Sequence, residues 1–448
     1  MSRTLFHRTA SVCALGVALL IAATLPLRAE VDITPVETPG GFTAWLVQED
    51  SIPFVALDIH FRGGASIEDP AQAGVINLMT GLLGEGAGDL DAQAFAEARE
   101  ALAARISFSS GRDAVTVSAR FLTENRDEAV DLIRMALHAP RFDADAVERV
   151  RRQVISSLRR DAVNPNAIAG REFARLAFGD HAYGRNPDGT PETVAALDVD
   201  ALRQAHRAAI TRDRVYIGAA GDIAPEELAT LIDHLLADLP EAEVPLPERT
   251  DFLAEPAVHA VDFDGPQTVI AFGHAGIERE DPDFLAAFVV NEVFGGGRFG
   301  TRLMRSLREE RGLTYGVGSF LSSGALGESY QGRVSTDPQH VPQVMEILRE
   351  EWRAIAEDGI TEEEAERVRT YLTGAYPLRF DGNGSIASIM ASMQFQGFDI
   401  DYVNVRNDMI DALTLEELNA MAARLYDPEA LVFVVVGGNG AGNGVESN

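Results

Sequence analysis

The sequence predicts an α+β fold made of two homologous domains, each a mostly antiparallel sheet with helices packed on one face. Its 448 residues exceed what a single hydrophobic core usually fills. Strand and helix patterns follow one another without the regular alternation of a parallel α/β fold, which favours an antiparallel sheet. A strand and helix pattern of the first half also returns in the second half, and such a repeat indicates duplication.

The clearest repeat is a strand that leads through an Asp-Pro turn into an apolar helix. In the first half the strand pattern covers residues 53–61, and the turn begins at Asp69. In the second half residues 267–274 repeat the strand, and Asp281 begins the turn 212 positions later. The helix of this second copy covers residues 284–294. Two such units predict two homologous domains, with chance similarity of short apolar runs as the alternative.

Periodic patterns define the other elements of the first half. Apolar residues at helical spacing predict four helices, and alternation predicts two paired strands. The helices cover residues 91–105, 126–138, 144–160 and 167–178, and the strands cover residues 106–109 and 114–121. An apolar strand at residues 214–221 returns at residues 430–437, which extends the duplication to the end of both halves.

Residues 1–29 have the pattern of a secretory signal peptide. Arg3 and Arg8 precede a nearly unbroken apolar run, and Ala29 ends a plausible cleavage site. The only cysteine, Cys13, lies inside that run, so the mature chain is expected to have no disulfide. We expect a periplasmic or otherwise exported protein with no membrane attachment after signal cleavage, and an uncleaved anchor is the alternative.

Composition shifts define the predicted domain boundaries. A Pro-rich, acidic stretch at residues 240–255 suits an extended linker. It separates an N-terminal domain of residues 30–239 from a C-terminal domain of residues 256–438. Residues 439–448 are rich in Gly and Asn, which predicts a flexible tail.

The charge balance excludes two classes of partner. The chain has 38 basic residues, all of them Arg, against 69 acidic residues, and its net charge is −31. A protein this negative is repelled by nucleic acid and by anionic membrane surfaces. Cationic peptides are compatible ligands, although a generally solvated acidic surface explains the same composition.

The histidines do not have the spacing of a helical zinc site. Such a site needs ligands three or four residues apart on one face of the helix. The nearest pair, His259 and His274, is 15 positions apart. Isolated histidines such as His60, His138 and His234 are therefore interpreted as core or surface residues.

One helix near the N-terminus matches a known metal-binding helix without its ligands. Residues 63–83 closely resemble the first active-site helix of the pitrilysin/insulinase family of zinc peptidases. In that family an inverted His-x-x-Glu-His motif supplies two zinc ligands and the general base. In register, these positions fall on Asn77, Thr80 and Gly81. Asn and Thr bind zinc poorly and Gly has no side chain, so the resemblance implies a degenerate motif with no metal in this chain.

The third zinc ligand of the family is also missing at its expected place. The family supplies a Glu from a later helix, within a Leu-Glu-Glu-Ile stretch. The matching stretch is residues 155–158, in which Ser156 and Ser157 replace both carboxylates. The resemblance therefore implies that zinc belongs to a partner subunit.

Residues 294–317 match the C-terminal signature of the same family. There an Arg and a Tyr face the zinc across the cleft and bind the substrate backbone, and the matching residues are Arg308 and Tyr315. Gly312 can end the helix in a left-handed cap, which places Arg308 in the last turn and Tyr315 at the start of a strand. Both side chains could then donate to one peptide carbonyl and to the oxyanion it becomes.

The same segment contains three consecutive glycines, Gly295, Gly296 and Gly297. The run lacks the Lys-Ser/Thr ending of a phosphate-binding loop, which argues against a nucleotide. We interpret it as a hinge or a substrate-contacting loop, with a simple turn between two helices as the alternative.

The resemblance implies a division of labour between two chains. In some members of the family one two-domain unit supplies zinc and another supplies the Arg/Tyr pair. We therefore expect a pseudoenzyme: the non-catalytic subunit of a periplasmic heterodimeric zinc peptidase, with a homologous zinc-bearing partner and a peptide or unfolded polypeptide as substrate. The alternative is a non-proteolytic binding or scaffold protein that keeps the fold. Substrate preference, the partner's identity and the choice between heterodimer and homodimer stay open.

Overall fold

Two large β-sheets, one in each half of the chain, organise residues 31–438 of the computed structural model, which are the residues it describes. The predicted signal segment, residues 1–29, and the predicted tail, residues 439–448, lie outside the described residues. Between residues 31 and 438, no helix has both the length and the apolar character needed to cross a membrane.

The first half of the chain contains eight strands. In order they are β1 (Thr34–Glu37), β2 (Thr43–Gln48), β3 (Phe54–Arg62), β4 (Gly86–Ala87), β5 (Leu90–Asp91), β6 (Arg105–Ser110), β7 (Ala114–Leu122) and β8 (Val215–Gly221). Six of them form a sheet in the order β1-β2-β8-β3-β7-β6, in which only β2 and β8 pair in parallel. In β7, Val115, Val117 and Phe121 are buried and alternate with less buried neighbours, so one face of the strand points to a core.

Helices cover the inner face of this sheet. They are α1 (Val75–Leu82), α2 (Ala92–Ala101), α3 (Arg126–His138), α4 (Ala144–Asp161), α5 (Pro165–Phe178), α6 (Pro191–Ala196), α7 (Val199–Ala209) and α8 (Pro225–Leu236). All except α5 contribute side chains to one hydrophobic core with the sheet, among them Phe95 of α2 and Val194 of α6.

The second half repeats this plan. Its strands are β9 (Val258–Asp262), β10 (Thr268–Ala275), β11 (Thr314–Ser323), β12 (Glu328–Thr336) and β13 (Val432–Gly437), and its helices are α9 (Phe284–Phe294), α10 (Val341–Asp358), α11 (Glu362–Ala375), α12 (Asn383–Phe395), α13 (Tyr402–Ala412) and α14 (Leu415–Leu425). The sheet has the order β11-β12-β10-β13-β9, with only β13 and β9 parallel. The predicted α+β class with two homologous halves is confirmed.

Each half contributes one helix to the sheet of the other half. Helix α5 packs on β10 and β13, where Phe173 shares a core with Val434. Helix α12 packs on β8 and β3. The backbones come so close that a Cβ added to Gly218 would lie 2.0 Å from the carbonyl oxygen of Ala387. Strand β13 is buried at every position, because helices cover both of its faces.

The exchanged helices were not predicted, because a pattern within one helix does not reveal which sheet it covers. One predicted boundary is wrong. The helix expected over residues 91–105 ends at Ala101, since Ala103 has a positive φ of 49° and β6 begins at Arg105.

Candidate functional site

The degenerate motif positions Asn77, Thr80 and Gly81 all lie on α1. Asn77 is half-buried, Thr80 is buried and Gly81 is exposed. The Thr80 hydroxyl has no hydrogen-bond partner in the described part of the chain. One amide and one hydroxyl are therefore the only functional groups that α1 presents at these three positions.

The start of α1 is set by a buried carboxylate. Glu68 accepts hydrogen bonds from the backbone N–H groups of Gly74 at 2.9 Å and of Ile76 at 2.7 Å. Burial raises the pKa of Glu68 to about 7, although the two N–H donors act in the opposite direction. Gly74, with a φ of +89°, supplies the left-handed backbone conformation that starts the helix.

Helix α4 packs against α1 and carries Ser156 and Ser157. A Cβ added to Gly81 would lie 3.2 Å from Cγ1 of Val150, so the two helices are in contact at the motif. Ser157 follows Val150 by seven residues and therefore lies on the same face of α4, whereas Ser156 is exposed. The structure thus brings the predicted motif helix and the predicted third-ligand helix together.

These residues do not fit a zinc ion. Structural and catalytic zinc sites use Cys, His, Asp or Glu, and each of the five expected positions carries Asn, Thr, Gly or Ser. In residues 31–438, no group of three or more His, Cys, Asp or Glu side chains is placed to hold a metal ion. We therefore derive no metal-dependent step on this chain.

The exposed side of α4 around Ser156 is cationic. A shallow depression of about 410 Å³ is lined by Arg149, Arg152, Gln153, Ser156 and Arg160. Arg149 forms an ion pair with Glu85, whereas Arg152 and Arg160 are exposed and have no acidic partner among residues 31–438. This cluster was not predicted from the sequence, although the spacing of the arginines along the helix places them on one face.

Arg308 lies in the last turn of a short helix that ends at a glycine. The helix, Met304–Glu309, is of the π type, and Gly312 ends it with a φ of +63°. The Gly312 N–H donates to the carbonyl oxygen of Arg308 at 3.0 Å. The guanidinium carbon of Arg308 lies 4.8 Å from the ring centroid of Phe299, which is itself 71% exposed.

Tyr315 is pushed outward by a β-bulge. Strand β11 pairs Thr314 with Thr336 and then Val317 with Val334, so one extra residue is inserted near Tyr315. The Thr314 hydroxyl stabilises the bulge by donating to the backbone carbonyl of Ser335 at 2.7 Å. As a result the Tyr315 side chain is 83% exposed, and its hydroxyl has no hydrogen-bond partner within residues 31–438.

An ion pair anchors the segment that carries Arg308. Arg302 Nε lies 2.8 Å from Glu364 Oε1, and Arg302 Nη2 lies 2.6 Å from Glu364 Oε2. Nη2 also donates to the carbonyl oxygen of Gly359 at 2.8 Å. Burial opposes ionisation of Glu364, but Arg302 and the backbone N–H of Thr361 outweigh it and lower the pKa to about 2. The two-pronged contact fixes the segment to the start of α11.

The three glycines form the turn between α9 and this segment. A Cβ on Gly295 would lie 2.2 Å from the hydroxyl oxygen of Ser319, and a Cβ on Gly296 would lie 2.6 Å from the carboxyl group of Glu292. The Ser319 N–H donates to the carbonyl oxygen of Gly295 at 2.7 Å. Gly297 has a φ of +75°, and nothing in the described structure lies within 4 Å of its Cβ position. The structure therefore groups these glycines with β11, the strand that also carries Tyr315.

Two homologous halves with exchanged helices, and a motif helix without metal ligands, define a metallopeptidase-like protein with a degenerate site. Residues 45–186 match the family model described as Insulinase (Peptidase family M16). Residues 196–372 match the model described as Peptidase M16 inactive domain. The chain belongs to this family, which confirms the resemblance noted in its sequence.

Similar proteins span most of the chain. The "non-peptidase homolog YmxG" of Helicobacter pylori is 25% identical over 394 residues, which cover 86% of this chain and 89% of that protein. An "uncharacterized zinc protease" of Mycobacterium leprae is 25% identical over 393 residues, which cover 87% of this chain and 88% of that protein. The crystal structure of a peptidase M16 inactive domain from Pseudomonas fluorescens has a TM-score of 0.85 and 25% identity, with 91% of this chain and 98% of that chain covered. The fold is thus one found in inactive, non-peptidase members of the family.

Proposed function

We propose that this chain is the non-catalytic subunit of a heterodimeric zinc peptidase in the periplasm or another exported location. The proposal rests on the contrast between two sites. The motif helix has no zinc ligands at Asn77, Thr80 and Gly81, whereas Arg308 and Tyr315 are both present, Arg308 half-buried and Tyr315 exposed. In this proposal a homologous partner supplies the zinc, and this chain binds the peptide substrate.

The chemistry of the Arg308 and Tyr315 pair suits a peptide carbonyl. Arg308 donates to the Tyr315 carbonyl oxygen from Nη1, which leaves its other N–H groups available. It has no carboxylate partner in residues 31–438, so its charge is not neutralised there. The exposed Tyr315 hydroxyl is a second donor. Together they can stabilise the negative charge that grows on a carbonyl oxygen under attack.

Exposed aromatic rings beside this pair support a contact with substrate or partner. Phe299 is 71% exposed next to Arg308, and Phe320 further along β11 is 47% exposed. Aromatic and arginine side chains are enriched at the centres of protein interfaces. This surface is therefore a suitable place for a peptide or a partner subunit to bind.

The test is co-expression of the mature chain with an exported homologue that has an intact His-x-x-Glu-His motif. We expect a complex of equal stoichiometry in light scattering, with zinc in the homologue, and peptide cleavage by the complex but not by this chain alone. A homologue that cleaves equally fast without this chain contradicts the proposal. So does a pair that stays monomeric at micromolar concentration with and without peptide.

A second candidate function is a non-proteolytic binding or scaffold protein. The observation in its favour is the description of the Helicobacter pylori relative as a non-peptidase homolog. This function is distinguished by the same experiment, because a scaffold forms its complex while the complex gains no peptidase activity. Tyr315→Phe then leaves every measured property of the complex unchanged.

A further inference from the structure

A cavity of about 830 Å³ lies where the two halves of the chain meet. Strands β3 and β7 of the first half form one wall. Helices α9, α12 and α13 of the second half, with the segment that follows α11, form the rest. The volume is in the range of sites that hold small organic ligands. The peptidase function proposed above makes no use of it.

The cavity is lined by four arginines and one carboxylate. The arginines are Arg120, Arg279, Arg379 and Arg406. None of the four is within ion-pair distance of an acidic side chain in residues 31–438. The carboxylate, Asp58, is already engaged inside the first half: Oδ1 lies 2.8 Å from His60 Nε2, and Oδ2 accepts from Ser118 Oγ at 2.6 Å. In a chain with 69 acidic and 38 basic residues, this concentration of unpaired cations is unusual.

Two of the arginines are held in place by aromatic rings. The guanidinium carbon of Arg406 lies 4.3 Å from the ring centroid of Tyr376, and Arg406 is only 7% exposed. The guanidinium carbon of Arg279 lies 4.4 Å from the centroid of Phe284 and 4.7 Å from that of Phe398. Arg279 Nε is buried and has no hydrogen-bond partner in the described residues. Arg279 donates from Nη2 to Gln396 Oε1 at 2.6 Å, and Arg406 donates from Nη1 to Asn407 Oδ1 at 3.1 Å. Neutral groups and rings therefore preorganise both cations, and an anion would supply the negative charge that they lack.

The other two arginines are exposed at the cavity and come from different halves. Arg120 belongs to β7 of the first half, and Arg379 follows α11 in the second half. Arg120 reaches across to α12, because a Cβ added to Gly384 would lie 2.0 Å from its Nη2. An anion bound here would therefore face charges from both halves.

The rest of the lining combines apolar and aromatic side chains with polar ones. The apolar and aromatic residues include Phe284, Phe288, Leu378, Met393 and Phe398, and the polar residues include Ser118, Ser385, Ser388, Ser392 and Gln396. Free inorganic phosphate would leave this apolar surface unused, whereas a ligand with an apolar body would bury it. We propose that the cavity binds a small anionic amphiphile, in which a carboxylate, sulfonate or phosphate group meets the arginines and an apolar or aromatic body packs on the rings.

The proposal is tested with two probes that share an aromatic body and differ in charge. The anionic probe is 8-anilinonaphthalene-1-sulfonate, and the neutral probe is N-phenyl-1-naphthylamine. We expect one saturable site for the anionic probe in fluorescence and calorimetric titrations of the full mature chain, with affinity at least about 10-fold above that of the neutral probe. 4-Phenylbutyrate should displace the bound probe, and 4-phenylbutanol should not.

Variants locate the site. Arg120→Gln and Arg379→Gln each remove one exposed cation without breaking an internal ion pair, so both variants should fold. Each should lower the affinity for the anionic probe by about 10-fold. Arg152→Gln and Arg160→Gln remove equal charge from the exposed face of α4 and should leave binding unchanged.

Three outcomes overturn the proposal. One is equal affinity for the charged and neutral probes, which indicates only an apolar surface. Another is an equal loss of affinity in the α4 control variants, which indicates a response to net charge. The third is displacement of the probe by inorganic phosphate as effectively as by 4-phenylbutyrate, which shows that the ligand needs no apolar body. The probe comparison on the unmodified chain decides the matter even where a variant fails to fold.

Discussion

Arg308 donates a hydrogen bond from Nη1 to the backbone carbonyl oxygen of Tyr315 at 2.6 Å. The bond joins the last turn of a helix to a bulge in β11 and crosses the turn made by Gly312. The Arg308 side chain is thereby fixed to the backbone of Tyr315, seven residues further along the sequence. Because neither is engaged by an acidic side chain within residues 31–438, both remain free to donate to a bound peptide.

The first prediction concerns this pair in the proposed complex. Tyr315→Phe removes one hydroxyl and keeps the ring, and loss of one oxyanion donor typically costs about 10² to 10³ in rate. We expect kcat/KM of the reconstituted complex to fall by that factor while size-exclusion chromatography shows an intact complex. Arg308→Lys should also lower the rate, because an ammonium group cannot reproduce the planar fork.

Tyr371→Phe is the matched control for that experiment. Tyr371 is another exposed tyrosine of the second half with an arginine beside it, since the guanidinium carbon of Arg298 lies 3.9 Å from its ring centroid. We expect the control to retain normal activity. Equal rates for Tyr315→Phe, Arg308→Lys and the control would show that this chain makes no catalytic contribution.

The second prediction concerns metal content. Asn77, Thr80, Gly81 and the two serines of α4 provide no imidazole and no carboxylate, so the purified mature chain should bind no stoichiometric zinc. Elemental analysis after dialysis against a mild chelator measures this. One zinc per chain that survives the dialysis shows that the assigned register of the motif is wrong.

The third prediction concerns the glycine turn. Gly295→Ala places a Cβ 2.2 Å from the Ser319 hydroxyl oxygen and forces β11 away from α9. We expect a loss of about 1 to 3 kcal/mol in the free energy of unfolding, measured by urea denaturation. Gly374→Ala is the control, since it lies in α11 with nothing described within 4 Å of the added Cβ, and it should be neutral or stabilising by up to about 1 kcal/mol.

The fourth prediction concerns acid stability. The pKa of Glu364 is lowered from 4.5 to about 2, so its ion pair with Arg302 contributes full stability above pH 4.5 and loses it as the pH falls from 4.5 towards 2. Glu364→Gln should destabilise the chain by about 3 kcal/mol or more at pH 7 and flatten the pH dependence in that window. Urea midpoints between pH 7 and pH 3 measure both effects.

Glu363→Gln provides the comparison for Glu364. Its side chain is 88% exposed and forms only a surface ion pair with Arg367, so the change should cost less than about 1 kcal/mol. If the two variants lose equal stability, the buried pair does not anchor the Arg308 segment.

Local sequence patterns were enough to predict the secondary-structure elements and the glycine that ends the helix carrying Arg308. Gly312 was predicted to end a helix in the left-handed region, and it does, because that conformation depends on one residue and its helix. The duplicated strand and helix pattern likewise predicted two homologous halves. Alternation over residues 114–121 predicted the strand β7 for the same reason, since each signal lies within a few consecutive residues.

Only the tertiary structure decided what depends on contacts between distant segments. The bulge that exposes Tyr315 arises from the register between β11 and β12, and the exchange of α5 and α12 depends on packing between the halves. The cavity that gathers Arg120 with Arg406 has no local sequence signal, because its walls come from both halves. The sequence by itself determined which groups are available and which zinc ligands are missing. Packing determined which of those groups meet, because the free energy of burial belongs to the whole core rather than to any one segment.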